Sequence, residues 1–350
     1  MASFLFLRLP ILVQLQVLEH LGLLELFYLS LISKHFEEIV KSLNVTLSKF
    51  NWDLLSNVCT VELIHPNCTG LYSSFHSDDM IMTPSEEISV NGTDVQVTRE
   101  QIGSHACLYI QTTSMRESWE AMDKFTEHFL ELFKVSKFEV TLPVVPNLRS
   151  WFMWKYTKRF ETVRVTDWED NCTLSSDDMK FMLEELTIDN SLDIRERVKE
   201  GVQYSGPLKM RELWVMNGDW LTLEAMLNMD CKKLYFHFAT ITYQDLNAII
   251  KKWLTGGLKN LVYLGFYGTQ LPRQDSIDTK LDRVLEGIEY FPYVANNRPE
   301  NVCVDFKRNR YYYNFRNGRD IRRSDGTTAT VDFIHNDFVF YVWNHLSVIQ

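Results

Sequence analysis

Four residues capable of binding a soft cation, Cys59, His65, Cys68 and His76, fall within 18 positions of one another. Thiolate and imidazole ligands in that number are what a structural zinc site uses, but such sites usually pair their cysteines as Cys-x-x-Cys, and no such pair occurs here. Unconnected thiols and imidazoles are therefore expected, and no metal is assigned. The acidic pairs Asp78-Asp79 and Asp177-Asp178 are adjacent in sequence. Neighbours on a helix do not share a face, so turn or helix-cap positions fit them better than paired catalytic carboxylates. Neither His20 nor His35 has a recognisable nucleophile partner. The chain lacks a phosphate-cradling glycine loop, a nucleophile elbow and a His-Glu-x-x-His helix. No cofactor and no active site of its own are expected.

One basic stretch remains. Between Arg298 and Arg323 lie eight Lys or Arg residues, interleaved with Tyr311, Tyr312 and Tyr313. Cations and stacking aromatics together suit single-stranded nucleic acid. An antiparallel sheet with charges on its wet face and aromatics inward accounts for them equally well and is preferred. The chain as a whole carries a net charge of -10, the wrong sign for a general phosphate binder, so nucleic acid is not expected as a partner.

At 350 residues, with 45% apolar and 23% charged positions, the chain has room for two or three domains. Six scattered cysteines without paired spacing favour reduced thiols and a cytoplasmic or nuclear setting. The Asn-x-Thr sequons at Asn44, Asn67, Asn91 and Asn171 are accordingly expected to be unmodified. No membrane segment is expected. No stretch reaches the roughly 18 uninterrupted apolar residues of a span, and Arg8, Pro10 and the glutamines interrupt any signal-peptide core.

The element around which the rest is arranged is the N-terminus. From Phe4 to Ile32, 20 of 29 positions are apolar. Pro10 suits a first helical turn and Gly22 a helix stop, which predicts a helix over 11–21. A second follows over about 24–32. Ser33 can cap a third, with Glu37 and Glu38 in its first turn. A piece of roughly 40 residues carrying this much apolar surface is marginal alone, so its surplus must go against the following domain or another protein.

Beyond residue 105, short strand-like runs alternate with helical ones. Strands are expected at 107–111, 138–142, 162–166, 185–189, 212–216, 234–238 and 261–266, their starts roughly 22 to 31 residues apart. Helices are expected at 118–135, 148–160, 221–229 and 242–254. This grammar predicts an irregular leucine-rich-repeat-like α/β solenoid, with a closed α/β sheet as the competing architecture. Strands at 302–306, 311–315, 329–334 and 338–343, with turn signals Asn317-Gly318 and Asp325-Gly326, predict a C-terminal antiparallel β segment.

The order Leu9-Pro10, apolar helix, Leu21, then Leu26-x-x-Leu29-Ser30-x-x-Ser33-Lys34 resembles an F-box, the motif that docks on the Skp-type adaptor of cullin-based ubiquitin ligases. The segment Leu186-Thr187-Ile188-Asp189-Asn190-Ser191 resembles the F-box-associated domain of type 2 of a large nematode family. So do Trp220 to Glu224, Met229-Asp230-Cys231, Leu246-Asn247 and the run from Lys251 to Leu264. Arg319 to Val331 with Tyr341-Val342-Trp343 is similar to that family's C-terminal end. The organisation implied is an α/β chain. A three-helix F-box occupies 1–50, a linker or small irregular subdomain 51–104, the repeat-like α/β domain 105–295, and the antiparallel β segment 296–350. The function implied is a non-enzymatic substrate receptor of an SCF-type cullin-RING ligase. Its partners would be a Skp-type adaptor, through it a cullin scaffold, and a protein target. Leu9, Pro10, Val17, Leu21, Leu26, Leu29 and Ser30 are the expected adaptor contacts. The alternative is a repeat-type interaction scaffold whose N-terminal helices merely cap the solenoid.

Overall fold

The computed structural model describes residues 6–55, 58–67, 69–76, 86–144, 147–166, 173–272, 274–294, 298–306 and 309–343. The chain divides into two compact units. The first comprises Met1–Pro143 with Ser150–Trp168, and the second Val144–Arg149 with Glu169–Gln350.

The first unit opens with helices α1 (Ile11–Leu18), α2 (Leu23–Ile32) and α3 (Lys34–Ser42). Strands β1 (Thr46–Leu47), β2 (Lys49–Asp53), β3 (Val58–Ile64), β4 (Gly70–His76), β5 (Glu86–Val90), β6 (Thr93–Ile102) and β7 (His105–Gln111) follow. Then come α4 (Met115–Leu132), β8 (Lys134–Val135), β9 (Phe138–Leu142) and β10 (Arg159–Val165). The main sheet runs β10-β9-β2-β3-β4-β7-β6-β5. It is parallel at β10-β9, β9-β2 and β4-β7, and antiparallel elsewhere. Asn91 and Gly92 both take positive φ, 47° and 78°, as a tight β5–β6 hairpin requires.

Helix α4 supplies this unit's core. Ser114 caps it by accepting from the Glu117 amide at 3.3 Å, while the Glu117 carboxylate accepts from the Thr113 amide at 2.6 Å. Ala121, Met122, Phe125, Phe129 and Leu132 recur at helical spacing on its buried face. Phe125 meets Phe75 of β4 edge-on at 5.3 Å, and the Trp52 indole of β2 donates to Thr126 Oγ1 at 3.0 Å.

The second unit contains α5 (Ser176–Lys180), β11 (Thr187–Ile194), β12 (Glu212–Val215), α6 (Leu223–Leu227), β13 (Lys233–His237), α7 (Tyr243–Leu254) and β14 (Tyr263–Tyr267). It continues through α8 (Ile277–Val284), β15 (Phe291–Pro292), β16 (Asn301–Phe306), β17 (Asn309–Asn314), β18 (Arg319–Arg322), β19 (Thr328–Ile334) and β20 (Asp337–Trp343). Its sheet runs β15-β18-β19-β20-β14-β13-β12-β11, with β16 and β17 forming a separate hairpin. Helix α7 begins at a capping box, in which Thr242 and Asp245 satisfy each other's amides at 3.1 and 3.0 Å. It stops as expected at Gly256, whose φ of 86° a side chain would resist.

No solenoid forms. Strands β11 to β14 are parallel, and this is the alternation read as repeats. The run then ends where β20 pairs antiparallel with β14. A solenoid covers each repeat with its neighbour, whereas here the sheet is covered by unlike layers. Trp253 of α7 packs edge-on against Phe340 at 5.4 Å, and Tyr313 of the β16–β17 hairpin lies 5.6 Å from Tyr263. The result is a layered, mixed α/β unit. The helix expected at 148–160 is likewise replaced by two 3-10 turns, Leu148–Ser150 and Phe152–Lys155, followed by β10.

Asp325-Gly326 is a hairpin turn between β18 and β19, with Gly326 at φ 88°. Asn317-Gly318 instead joins β17 to β18, which lie in different sheets. Gly318 is needed for close approach, because an added Cβ would meet Thr330 Cγ2 at 2.5 Å. The β19–β20 turn, His335-Asn336, carries positive φ without a glycine and was not anticipated.

Candidate functional site

Helix α1 has two faces. Gln14 and Leu18 point inward, 4% and 2% exposed, and the Gln14 amide donates to Leu9 O at 2.8 Å. Ile11, Leu12, Val13 and Val17 point outward, with Leu12 at 71% and Val17 at 41%. These four apolar side chains fan out over the wide exposed arc of a two-turn helix, with Gln16 among them, and leave an unburied apolar patch of the kind that marks a contact surface. Ile32, the last residue of α2, is also exposed, at 65%.

The inner side is tied to α4. Phe27 is fully buried, its ring 5.1 Å from Phe129, 5.7 Å from Phe125 and 5.8 Å from His128. Ser30 Oγ donates to Phe27 O at 2.6 Å and lies 2.7 Å from His128 Nε2. With its hydroxyl proton so used, Ser30 accepts from an Nε2–H tautomer, which leaves Nδ1 bare; among the described residues that atom has no partner. Burial holds the His128 pKa below the usual range, and Glu37 and Glu131 only partly counter it. The ring is neutral at physiological pH. Ser33 caps α3 as expected, accepting from Phe36 N at 3.3 Å. Lys41, near the end of α3, bridges Glu37 and Glu131 at 2.5 and 3.1 Å.

The expected contact residues therefore separate by position. Pro10 and Val17 are exposed, and Leu9, Leu21 and Leu29 are half-buried. Leu21 borders a groove of about 680 Å³, together with Leu18, Leu24, Leu43, His65 and Gln101. Leu26 and Ser30 are turned into this chain, 3% and 4% exposed. Ile11, Leu12, Val13 and Ile32 were not singled out from the sequence. The signal that could have found them was the run Ile11-Leu12-Val13, too apolar for one inward stripe.

The other chemistry-bearing residues have structural employment. Cys59 is buried, which pushes its thiol up to about 11. His65 and His76 bond to Asn67 N and Ser74 Oγ, and Cys68 lies outside the described residues. No cluster of three or more His, Cys, Asp or Glu able to hold a metal occurs among the described residues. Asp178 is a cap, accepting from Ser175 Oγ at 2.6 Å and Leu148 N at 2.9 Å. Asp78 and Asp79 are outside the described residues.

Three of the C-terminal cations, Arg298, Arg319 and Arg323, form ion pairs with nearby carboxylates. Arg298 donates to both oxygens of Asp320 at 2.9 and 3.0 Å and to Phe315 O at 2.8 Å. Arg319 engages Asp278 and Asp282, and Arg323 engages Asp325. Tyr311 and Tyr312 are exposed, whereas Tyr313 is buried with its hydroxyl 2.9 Å from that of Tyr263. No helix among the described residues is long and apolar enough to cross a membrane.

A family model of the F-box domain matches residues 6–48, from just ahead of α1 to the start of the strands. A second, described as F-box associated, matches 204–266, which takes in β12 to β13, α7 and most of β14. The two matches, in this order, make the chain similar to F-box proteins that carry an F-box-associated region, and proteins of that class are substrate-recognition adaptors of SCF ligases, typically without enzymatic activity of their own. The relatives it matches are Caenorhabditis elegans proteins, which agrees with the nematode resemblance of the sequence. The Skn-1 dependent zygotic transcript 15 protein is 21% identical over 347 residues, 95% of this chain and 94% of that one. The uncharacterized protein F59B2.9 is 24% identical over 152 residues, and E3 ubiquitin-protein ligase hecw-1 is 32% identical over 75. Those two matches span 34% and 6% of the respective relatives' lengths. No solved structure matches the chain.

Proposed function

We propose that this chain is the substrate-recognition subunit of an SCF-type cullin-RING ubiquitin ligase, docking on a Skp-type adaptor through α1 and its flanks. The observation that carries this is the exposed apolar patch of Ile11, Leu12, Val13 and Val17 on a helix whose remaining face, Gln14 and Leu18, is buried. Leu9, Pro10, Leu21 and Leu29 flank it and complete the docking face, while Leu26 and Ser30 act from inside by holding α2 in place. Burying each such aliphatic side chain on a partner is worth about 1.5–3 kcal/mol. The adaptor links the chain to a cullin scaffold, and the second unit holds a target protein. Catalysis is by proximity, since tethering raises the effective concentration of target lysines near a charged conjugating enzyme.

The test is co-purification of the full chain with a Skp-type adaptor, compared with Leu12→Asp combined with Val17→Asp. The wild type is expected to form a stoichiometric complex, and the double variant to lose it with unchanged folding. A folded wild-type chain that binds no such adaptor would end this reading.

A further inference from the structure

The second unit holds a cavity of about 430 Å³ whose charge runs against that of the chain. Five cations line it, Lys209, Arg211, Lys232, Lys259 and Arg323, against two carboxylates, Asp189 and Asp230, in a protein of net charge -10. The backbone explains how they come together. Arg211, Lys232 and Val262 are the residues immediately preceding β12, β13 and β14. Arg211 O accepts from Lys232 N at 2.7 Å, and Lys232 O accepts from Val262 N at 2.8 Å. These bonds set the three residues in one row across the entry to the parallel strands, about 4.8 Å apart from strand to strand. Arg211 and Lys232 thus stand side by side, an arrangement that destabilises the empty site through like-charge repulsion.

The cavity's own acids do not relieve that repulsion. Lys209, Arg211, Lys232 and Lys259 make no ion pair among the described residues. Asp230 is engaged by the Asn260 amide at 2.6 Å. Arg323 is fixed at the rim by Asp325 and by the face of Trp253, 5.1 Å from its guanidinium carbon. Arg323 is therefore held in place, while Lys209, Arg211, Lys232 and Lys259, exposed or half-buried, are without ion-pair partners among the described residues.

We infer that this cavity binds an anionic segment of a protein, its phosphate or carboxylate groups seated between Arg211 and Lys232. Charge-assisted hydrogen bonds from a guanidinium and an ammonium are the strong ones for either anion. The overall negative charge of the chain disfavours acidic peptides in general, so a local excess of cations is what a site for one requires. That the occupant is a protein segment rests on the substrate-receptor reading above; the anion site itself rests on the cavity alone.

The experiment uses the full chain and fluorescent degenerate peptide pools carrying a central phosphoserine, glutamate or serine, read by anisotropy. Arg211→Glu with Lys232→Glu is compared with wild type, and a second variant, Arg211→Gln with Lys232→Gln, guards against misfolding. Adaptor binding is measured on the same preparations. The phosphoserine or glutamate pool is expected to bind at least tenfold more tightly than the serine pool, with both variants losing that margin. Which of the two pools binds better identifies phosphate or carboxylate as the source of charge. Equal binding of all pools, binding unaffected by the substitutions, or stronger substitution-sensitive binding of a single-stranded oligonucleotide would overturn the inference. Loss of adaptor binding with the pocket signal intact would instead refute the ligase reading and leave the anion site standing.

Discussion

Ser30 Oγ lies 2.7 Å from Nε2 of His128, a contact between α2 and α4 that joins residues 98 apart in sequence. It secures the F-box helices to the body of the first unit by a polar bond inside an aromatic pocket. Replacing Ser30 with Ala leaves the Nε2–H buried without an acceptor, beside an Nδ1 that already lacks a donor. The expected cost is about 1–3 kcal/mol, read as a lower denaturant midpoint. Adaptor affinity, measured where the variant is still folded, should change little.

Acid should reveal the same ring. Because burial lowers the folded-state pKa of His128, its contribution is intact above the unfolded value of about 6.5 and is lost as pH falls towards the folded one. His76 and His237 shift in the same direction, also through burial, so the wild type loses stability on acidification through this window. His128→Gln should remove part of that loss in pH-dependent melting curves.

Asp332 has the opposite sign. Burial raises its pKa to about 6, against the pull of a Phe333 amide bond and Arg298. A raised folded pKa gives stability present below about pH 4 and lost as pH rises through 6. Asp332→Asn should therefore raise the melting temperature at pH 7–8, by the equivalent of about 1–2 kcal/mol. The advantage over wild type should vanish in acid.

Arg298 and Asp320 form a buried pair, 3% and 9% exposed at the side chain. Thr330 donates to Asp320 at 2.6 Å, and Trp343 in turn donates to Thr330 at 2.7 Å. Removing one charge strands the other, at a cost of about 3–5 kcal/mol. Arg298→Met should accordingly lower the unfolding midpoint far more than Arg322→Met, an exposed neighbour in the same basic stretch.

The patch on α1 should behave in the reverse way. Leu12→Asp and Val17→Asp each alter an exposed side chain, so stability should stay within about 0.5 kcal/mol of wild type. Adaptor affinity, by titration calorimetry, should fall more than tenfold.

What could be read from the residues was local. The three N-terminal helices, the Ser33 cap and the stop at Gly256 depend on neighbours within a few positions, and their signals are plain in the chain. The contact that buries the Ser30 hydroxyl depends on His128 of α4, some hundred residues on, and no spacing within the first 50 residues carries it. The strand periodicity after residue 105 was equally visible, but strand partners were not. That β20 pairs antiparallel with β14 joins residues some seventy positions apart, which no local pattern carries. The partners of the basic C-terminal stretch were hidden for the same reason, because Asp278, Asp282 and Asp320 reach Arg319 and Arg298 from positions that only folding brings near. The cavity cations escaped notice because they are spread from 209 to 323.

The anchoring of Phe27 between Phe125 and Phe129 bears on how such a chain can be silenced. Trimming away its first fifty residues, the obvious route to a version that holds targets but delivers none, would strip the cover from two buried phenylalanine rings and yield a sticky, proteolysis-prone remnant. The reverse cut, transplanting those residues to redirect a different receptor, would carry off Phe27 with nothing to lie against. Decoupling delivery from recognition in this molecule calls for single-residue changes on the outer side of α1, made in an uncut chain.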